Sequence, residues 1–402
     1  MKYTLSIFLL VLFLLSCSNE DACSDGIQNQ DETDIDCGGI CGPCPNCTNG
    51  VQDFEEAGVD CGGNCTPCPD NWEVIEYGSG RLEHISFINE EVGFVLNNLF
   101  TTYQLRRTFD GGQSWETFEV PLSGINTGNQ SVLEFGFLTE NKGYALEKVD
   151  NGVSDHRLFI TINGGRSWEP VFEVENAAIF DVEFVSSTVG YLVRSFFSSN
   201  SNAHVYKTTD GGLNWEKIYE SPINPQRPYA PNALSFISPE HGFMTSIYIT
   251  RETKDGGETW TEKEETLFES WPRSLFMVTE NVGYAYGNKE DTFEDLYRTR
   301  DGGQTWEATG VRMDPNLPDP LRINPVFRTS NFGYFAFEFA DFFDFGMYKT
   351  SNQGETWSAY GSLPFFEGQQ KGAFQRCAPT LDKRFMYCIE RDREVIMKVK
   401  LN

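Results

Sequence analysis

The stretch Arg-Thr-Phe-Asp-Gly-Gly-Gln-Ser-Trp, starting at Arg107, sets a carboxylate beside two glycines, a hydroxyl and an indole. Such a group could ligate a cation, cradle a phosphate on glycine amides, or turn the chain. The same box starts again at Thr161, Thr208, Thr253, Thr299 and Thr350. Asp110, Asp210, Asp255 and Asp301 hold the carboxylate position, but Asn163 and Asn352 replace it in two copies. Gln353 replaces the first glycine of the last copy, and Asn214 the second hydroxyl of another. An amide oxygen still accepts a hydrogen bond but supplies no charge, so this exchange favours turn-making over catalysis. Thr108, Asp110 and Ser114 are expected to satisfy turn amides, and Gly112 to take a positive φ. Trp115, Trp168, Trp215, Trp260, Trp306 and Trp357 then open the next strand and bury their rings beside a neighbouring sheet.

Eleven cysteines are the second chemical feature. Cys23, Cys37, Cys41 and Cys44 repeat their spacing as Cys47, Cys61, Cys65 and Cys68, a tandem duplication. Four cysteines in so short an exported unit imply two disulfides per module, with pairing left open, because too little apolar surface is available for folding without cross-links. Zinc is disfavoured by an oxidising compartment. Calcium is a candidate on the hard oxygens of Asn29, Asp31, Asp34 and Asp36, the alternative being a solvated acidic loop. The modules read as a rigid stalk. Cys377 and Cys388 flank a hairpin-length segment and are expected to pair.

Nothing else has the spacing of a catalytic or metal centre. The four histidines show no ligand spacing, and neither a nucleophile elbow nor a phosphate loop is present. A formal net charge of −28 opposes nucleic acid and anionic membranes.

The chain opens with one lysine, an apolar run from Leu5 to Leu15, then Ser16 and Cys17. That run is short for a spanning helix and fits a signal peptide. Leu-Leu-Ser-Cys resembles a bacterial lipobox, which implies cleavage before Cys17 and a lipid on its sulfur; the alternative is an ordinary signal peptide. The acidic residues that follow resemble surface-export tags of outer-membrane lipoproteins. The expected organisation is a leader over 1–16, a lipidated linker over 17–22, cysteine-rich modules over 23–44 and 47–68 within 23–69, and one domain over 70–402. Membrane contact is expected only through the lipid.

The elements that position the boxes follow from their period of 45 to 53 residues, which suits one four-stranded unit. A glycine followed by Phe or Tyr recurs at Gly93, Gly143, Gly190, Gly242, Gly283 and Gly333, and six residues before each lies Phe87, Phe137, Phe184, Phe236, Met277 or Phe327. Alternating apolar residues give strands a to d, with each box at the c–d turn. After the sixth box the chain supplies three more strands, and Asn71–Gly78 reads as the missing strand d. Joined, they complete a seventh blade, so the fold is an all-β, seven-bladed propeller, with six blades as the alternative.

The pattern Ser/Thr-x-Asp-x-Gly-x-Ser/Thr-Trp resembles the Asp-box, or BNR, repeat. With the Phe-x5-Gly-Phe/Tyr landmark it resembles the photosystem II stability/assembly factor family of propellers. That resemblance implies a non-catalytic scaffold holding a partner, here a protein or a glycan. The rival is a sialidase-like or other glycoside hydrolase, since Asp-boxes occur there too; the Phe-Arg-Ile-Pro segment and a Tyr/Glu pair are missing. Binding is expected on the face opposite the boxes, where connections are long and dissimilar. Arg81, Arg227, Arg273 and Arg322 lie shortly before an innermost strand and could converge on a carboxylate, with Tyr229 and Trp271 as an aromatic platform; the alternative is scattered arginines paired with neighbouring carboxylates.

Overall fold

The chain divides into two units, Met1–Cys68 and Pro69–Asn402. The computed structural model describes residues 73–75, 81–99, 102–123, 132–150, 154–196, 202–222, 233–246, 249–263, 274–290, 293–312, 320–327, 333–339, 347–359, 374–390 and 395–401, all in the second unit. The leader, Cys17, both cysteine-rich modules and the calcium candidates lie outside them.

The described residues form β-strands and turns, gathered into seven four-stranded antiparallel sheets. Six sheets are built from consecutive strands, each with a box at its c–d turn. The first contains β2 (Arg81–Phe87), β3 (Gly93–Asn98), β4 (Thr102–Thr108) and β5 (Glu116–Ser123). The second contains β6 (Val132–Phe137), β7 (Gly143–Asp150), β8 (Ser154–Thr161) and β9 (Glu169–Val174). The third contains β10 (Ala177–Phe184), β11 (Gly190–Phe196), β12 (His204–Thr208) and β13 (Glu216–Glu220). The fourth contains β14 (Ala233–Phe236), β15 (Gly242–Thr245), β16 (Thr250–Thr253) and β17 (Thr261–Glu262). The fifth contains β18 (Ser274–Met277), β19 (Gly283–Glu290), β20 (Phe293–Thr299) and β21 (Glu307–Arg312). The sixth contains β22 (Pro320–Phe327), β23 (Gly333–Phe339), β24 (Met347–Thr350) and β25 (Ser358–Ala359). A count of six follows the boxes; a seventh sheet has none. It joins β26 (Phe374–Pro379), β27 (Phe385–Glu390) and β28 (Val395–Lys400) to β1 (Glu73–Ile75) from the other end of the domain.

Each sheet is sandwiched between two others, so its middle strands are apolar on both faces. Phe94, Val95 and Leu96 of β3 are all fully buried, whereas β13 is largely exposed along the rim. The first strands of successive sheets touch, among them β26 with β2 and β2 with β6, which closes the ring. Cys377 and Cys388 are direct cross-strand partners in β26 and β27 and form a disulfide.

The Phe-x5-Gly-Phe/Tyr landmark is an inter-sheet joint. Phe137 lies over Gly143 of its own hairpin, where a Cβ would come within 2.9 Å of the ring, and Phe184 covers Gly190 in the same way at 2.7 Å. An aromatic of the preceding sheet meets the ring: Phe94 stacks on Phe137 with centroids 3.4 Å apart, Tyr191 stacks on Phe236 at 3.5 Å, and Tyr144 tilts against Phe184 at 5.0 Å. Glycine is needed because one ring occupies the volume a side chain would fill.

Candidate functional site

The side chains of the boxes are engaged within the turn. In the first box, Thr108 Oγ1 donates to Asp110 Oδ1 (2.7 Å) and accepts from the Gly112 amide (2.8 Å). Asp110 also accepts from the Ser114 amide and hydroxyl, and Trp115 Nε1 donates to the Gly112 carbonyl. The Ser114 hydroxyl and amide, then Thr108, hold the Asp110 carboxyl down at about 2. Asn163 and Asn352 reproduce the arrangement without charge: each Oδ1 accepts from Thr161 or Thr350 and each Nδ2 donates to Ser167 or Thr356. A turn that tolerates either side chain depends first on the acceptor oxygen.

Both box glycines have positive φ, 70° at Gly111 and 95° at Gly112. Gln353 adopts the first of these conformations, at 58°, despite its side chain. The second glycine also seats the box on its neighbour: a Cβ on Gly112 would lie 2.6 Å from Ile75 Cγ2 of the seventh sheet, and one on Gly212 would lie 2.7 Å from Ile160 Cδ1 of the second. The Gly111 amide donates to the Glu91 carbonyl, so box and a–b turn share one face. Trp115 lies just before β5 rather than opening it, and packs among Ile75, Phe87 and Tyr387.

The inner strands carry a polar belt that motif reading missed. Side chains just before the landmark Phe cap amides on the edge of the next inner strand. Ser86 Oγ accepts from the Phe137 amide (2.9 Å), Glu183 Oε2 from Phe236 (2.9 Å), and Ser235 Oγ from Met277 (2.9 Å). Asp181 Oδ2 takes the Leu234 amide (2.8 Å). These edge groups lack a ladder partner on the axial side, so the side chains meet an obligatory need. Desolvation, then the charge of Asp181, pushes the Glu183 carboxyl up to about 8, against the Phe236 amide that favours its anion. The shift favours the protonated carboxyl.

Between the neighbouring seventh and first sheets, Arg376 Nη1 lies 2.7 Å from His84 Nδ1. Guanidinium nitrogens only donate, so Nδ1 accepts and the ring proton sits on Nε2, 3.0 Å from the Val132 carbonyl. His156 is likewise structural: burial drives it down to about 4 while its Nδ1 accepts from the Ile179 amide. Among the described residues no group of three His, Cys, Asp or Glu could hold a metal ion.

Of the expected arginine cluster, Arg81 opens β2 and lies 3.9 Å from Glu83, the pairing the alternative reading describes. Arg322 stands inside β22, not before it, next to a register shift between Pro320 and Arg322. Arg227, Tyr229, Trp271 and Arg273 fall outside the described residues.

Residues 225–364 match the model of the photosynthesis system II assembly factor YCF48 family. A photosystem II assembly lipoprotein Ycf48 from Synechococcus sp. (strain CC9902) is 30% identical over 138 residues, which is 32% of this chain and 36% of that protein. The aligned part thus spans about a third of the relative's length. Among solved structures, YCF48 bound to D1 peptide superposes with a TM-score of 0.50 at 15% identity, over 83% of this chain and 96% of the other. An ancestral GH74 enzyme gives 0.52 at 14%, over 81% and 46%. At such identities both likenesses concern the fold alone. The chain is a β-propeller that resembles, over residues 225–364, the YCF48 assembly-factor family.

Proposed function

We propose that this protein is a non-catalytic, exported scaffold that holds a protein partner on the propeller face opposite the boxes, tethered to a membrane by a lipid on Cys17. The observation that carries the reading is where the repeated residues are used: box, landmark and inner belt are engaged in turns and in joints between sheets. The d–a connections, in which the sheets differ, leave from the other face, where rigid propellers present binding loops. The YCF48 match supports this, since it runs through the connections that contain Arg227, Tyr229, Trp271 and Arg273. Those four residues are the candidate contacts, and a carboxylate-bearing segment is the ligand their chemistry suits. An outer-membrane, surface-exposed location accords with the acidic residues after Cys17.

The test is site-specific photocrosslinking in cells. A probe at Tyr229 or Trp271 is expected to capture one defined protein, and a probe at Lys254 on the box face is not. Capture from the box face alone, or turnover of sialosides or β-glucans by the purified chain, defeats the proposal. Saturable glycan binding without turnover assigns the same face to a sugar.

A further inference from the structure

Large apolar side chains are distributed unevenly over the box face. Phe109, Ile162 and Leu213 stand in the boxes of the first three sheets and Leu381 in the a–b turn of the seventh, at exposures of 45%, 61%, 44% and 53%. Those four sheets are consecutive around the ring. At the position of Phe109 and Ile162, the remaining boxes carry Thr209, Lys254, Arg300 and Ser351, and Leu213 stands four residues beyond Thr209 in its box. The Leu381 amide donates to the Ile88 carbonyl, which ties that turn to the first sheet on this face. An apolar crescent therefore faces outward on one half of the box face, and solitary exposed residues elsewhere do not explain its clustering.

We propose that this crescent rests on the surface of a zwitterionic lipid bilayer. The chain outside the described residues ends here: β1 begins at Glu73, whose carboxylate shares Lys398 Nζ with Glu90 of the first a–b turn, so the polypeptide enters the propeller from the box side. The residues before it include the apolar run from Leu5 to Leu15 and Cys17. The net charge of −28 opposes both a second copy of the chain and an anionic leaflet, whereas neutral headgroups admit shallow insertion of Phe, Ile and Leu. The orientation rests on the lipid anchoring proposed above, but the contact does not, and the two fail separately.

The test uses the exported chain carrying Cys17→Ser, which cannot be acylated, and phosphatidylcholine vesicles. The chain is expected to co-float with the vesicles, and adding Phe109→Ser, Ile162→Ser and Leu381→Ser is expected to reduce the bound fraction about tenfold with the melting temperature unchanged. A polarity-sensitive fluorophore on Ile162→Cys should shift to the blue on adding vesicles, and the same label on Ser351→Cys should not. No flotation, flotation indifferent to the three serines, or a self-association that they abolish overturns the inference. The mass of the unsubstituted exported chain reports the lipid independently.

Discussion

Tyr387 of the last sheet lies flat on Phe87 of the first, with ring centroids 3.6 Å apart and planes 3° from parallel. This contact joins residues from opposite ends of the domain and repeats the Phe94–Phe137 geometry found between sequence neighbours. Tyr387 also donates its hydroxyl to the Glu90 carbonyl, and burial raises its pKa. The seam that closes the ring therefore uses the same joint as the others, plus three residues of β1.

Because β1 is so short, Ile75 carries much of that closure: it is 7% exposed and packs on Gly112 and Trp115. Ile75→Ala should destabilise the propeller by about 2–4 kcal/mol in urea unfolding. A change below about 0.5 kcal/mol would show that β28 closes the ring without it.

The boxes predict an order of damage. Asp110→Asn should melt close to the parent, because Asn163 and Asn352 make the same bonds; Asp110→Ala should melt lower, having lost three acceptor contacts. Gly112→Ala should be worst, costing about 2 kcal/mol or more, since φ is 95° and the methyl meets Ile75. Thermal melts of the three variants that reverse this order would return the carboxylate to a functional role.

Acid should also find the boxes. The folded pKa values of Asp110 and Asp255 are depressed from 3.8 to about 2 by hydrogen bonds from Ser114 and Thr259 respectively. Their contribution is present above 3.8 and lost as pH falls towards 2. Asp110→Asn combined with Asp255→Asn should flatten the fall in melting temperature across that window.

Glu183 titrates with the opposite sense. Its folded pKa, raised from 4.5 to about 8, means the folded state holds a proton the unfolded chain has released, so stability declines as pH climbs through that interval and is constant above it. Glu183→Gln keeps an acceptor for the Phe236 amide and removes the linkage. It should raise the melting temperature more at pH 8.5 than at pH 5; an equal shift at both would mean Glu183 is ionised throughout.

The disulfide crosses between β26 and β27 at sequence separation 11. Replacing both Cys377 and Cys388 by alanine should lower stability by about 2–3 kcal/mol from loop entropy alone. Reductant should then have no further effect on unfolding of the propeller, which urea titrations with and without dithiothreitol would show.

The repeat period, the strands, the box turns and the joining of the chain ends in one sheet were all readable from residue spacing. Each rests on interactions within about 50 residues, or on a count of strands per unit. The box could be read as a turn because asparagine substitutes for aspartate within the same chain. What the glycine of the landmark does was not readable: Gly143 looks like a strand start, but it is fixed by Phe137 above it and Phe94 beyond, residues on two sheets. Ser86, Asp181, Glu183 and Ser235 gave no motif because their partners are backbone amides of the next sheet, with no side-chain signature. Arg81 could be counted among arginines, yet its neighbour Glu83 is set by the strand's own bulge.

Sequence by itself determined that this chain repeats a four-stranded unit, since hydrophobic alternation and turn chemistry are local and survive in every copy. Tertiary structure alone decided what the repeated residues are for. Stacking, overlap and desolvation arise between sheets that become neighbours only when the ring closes, and it is closure that engages the boxes in joints and raises the pKa of Glu183.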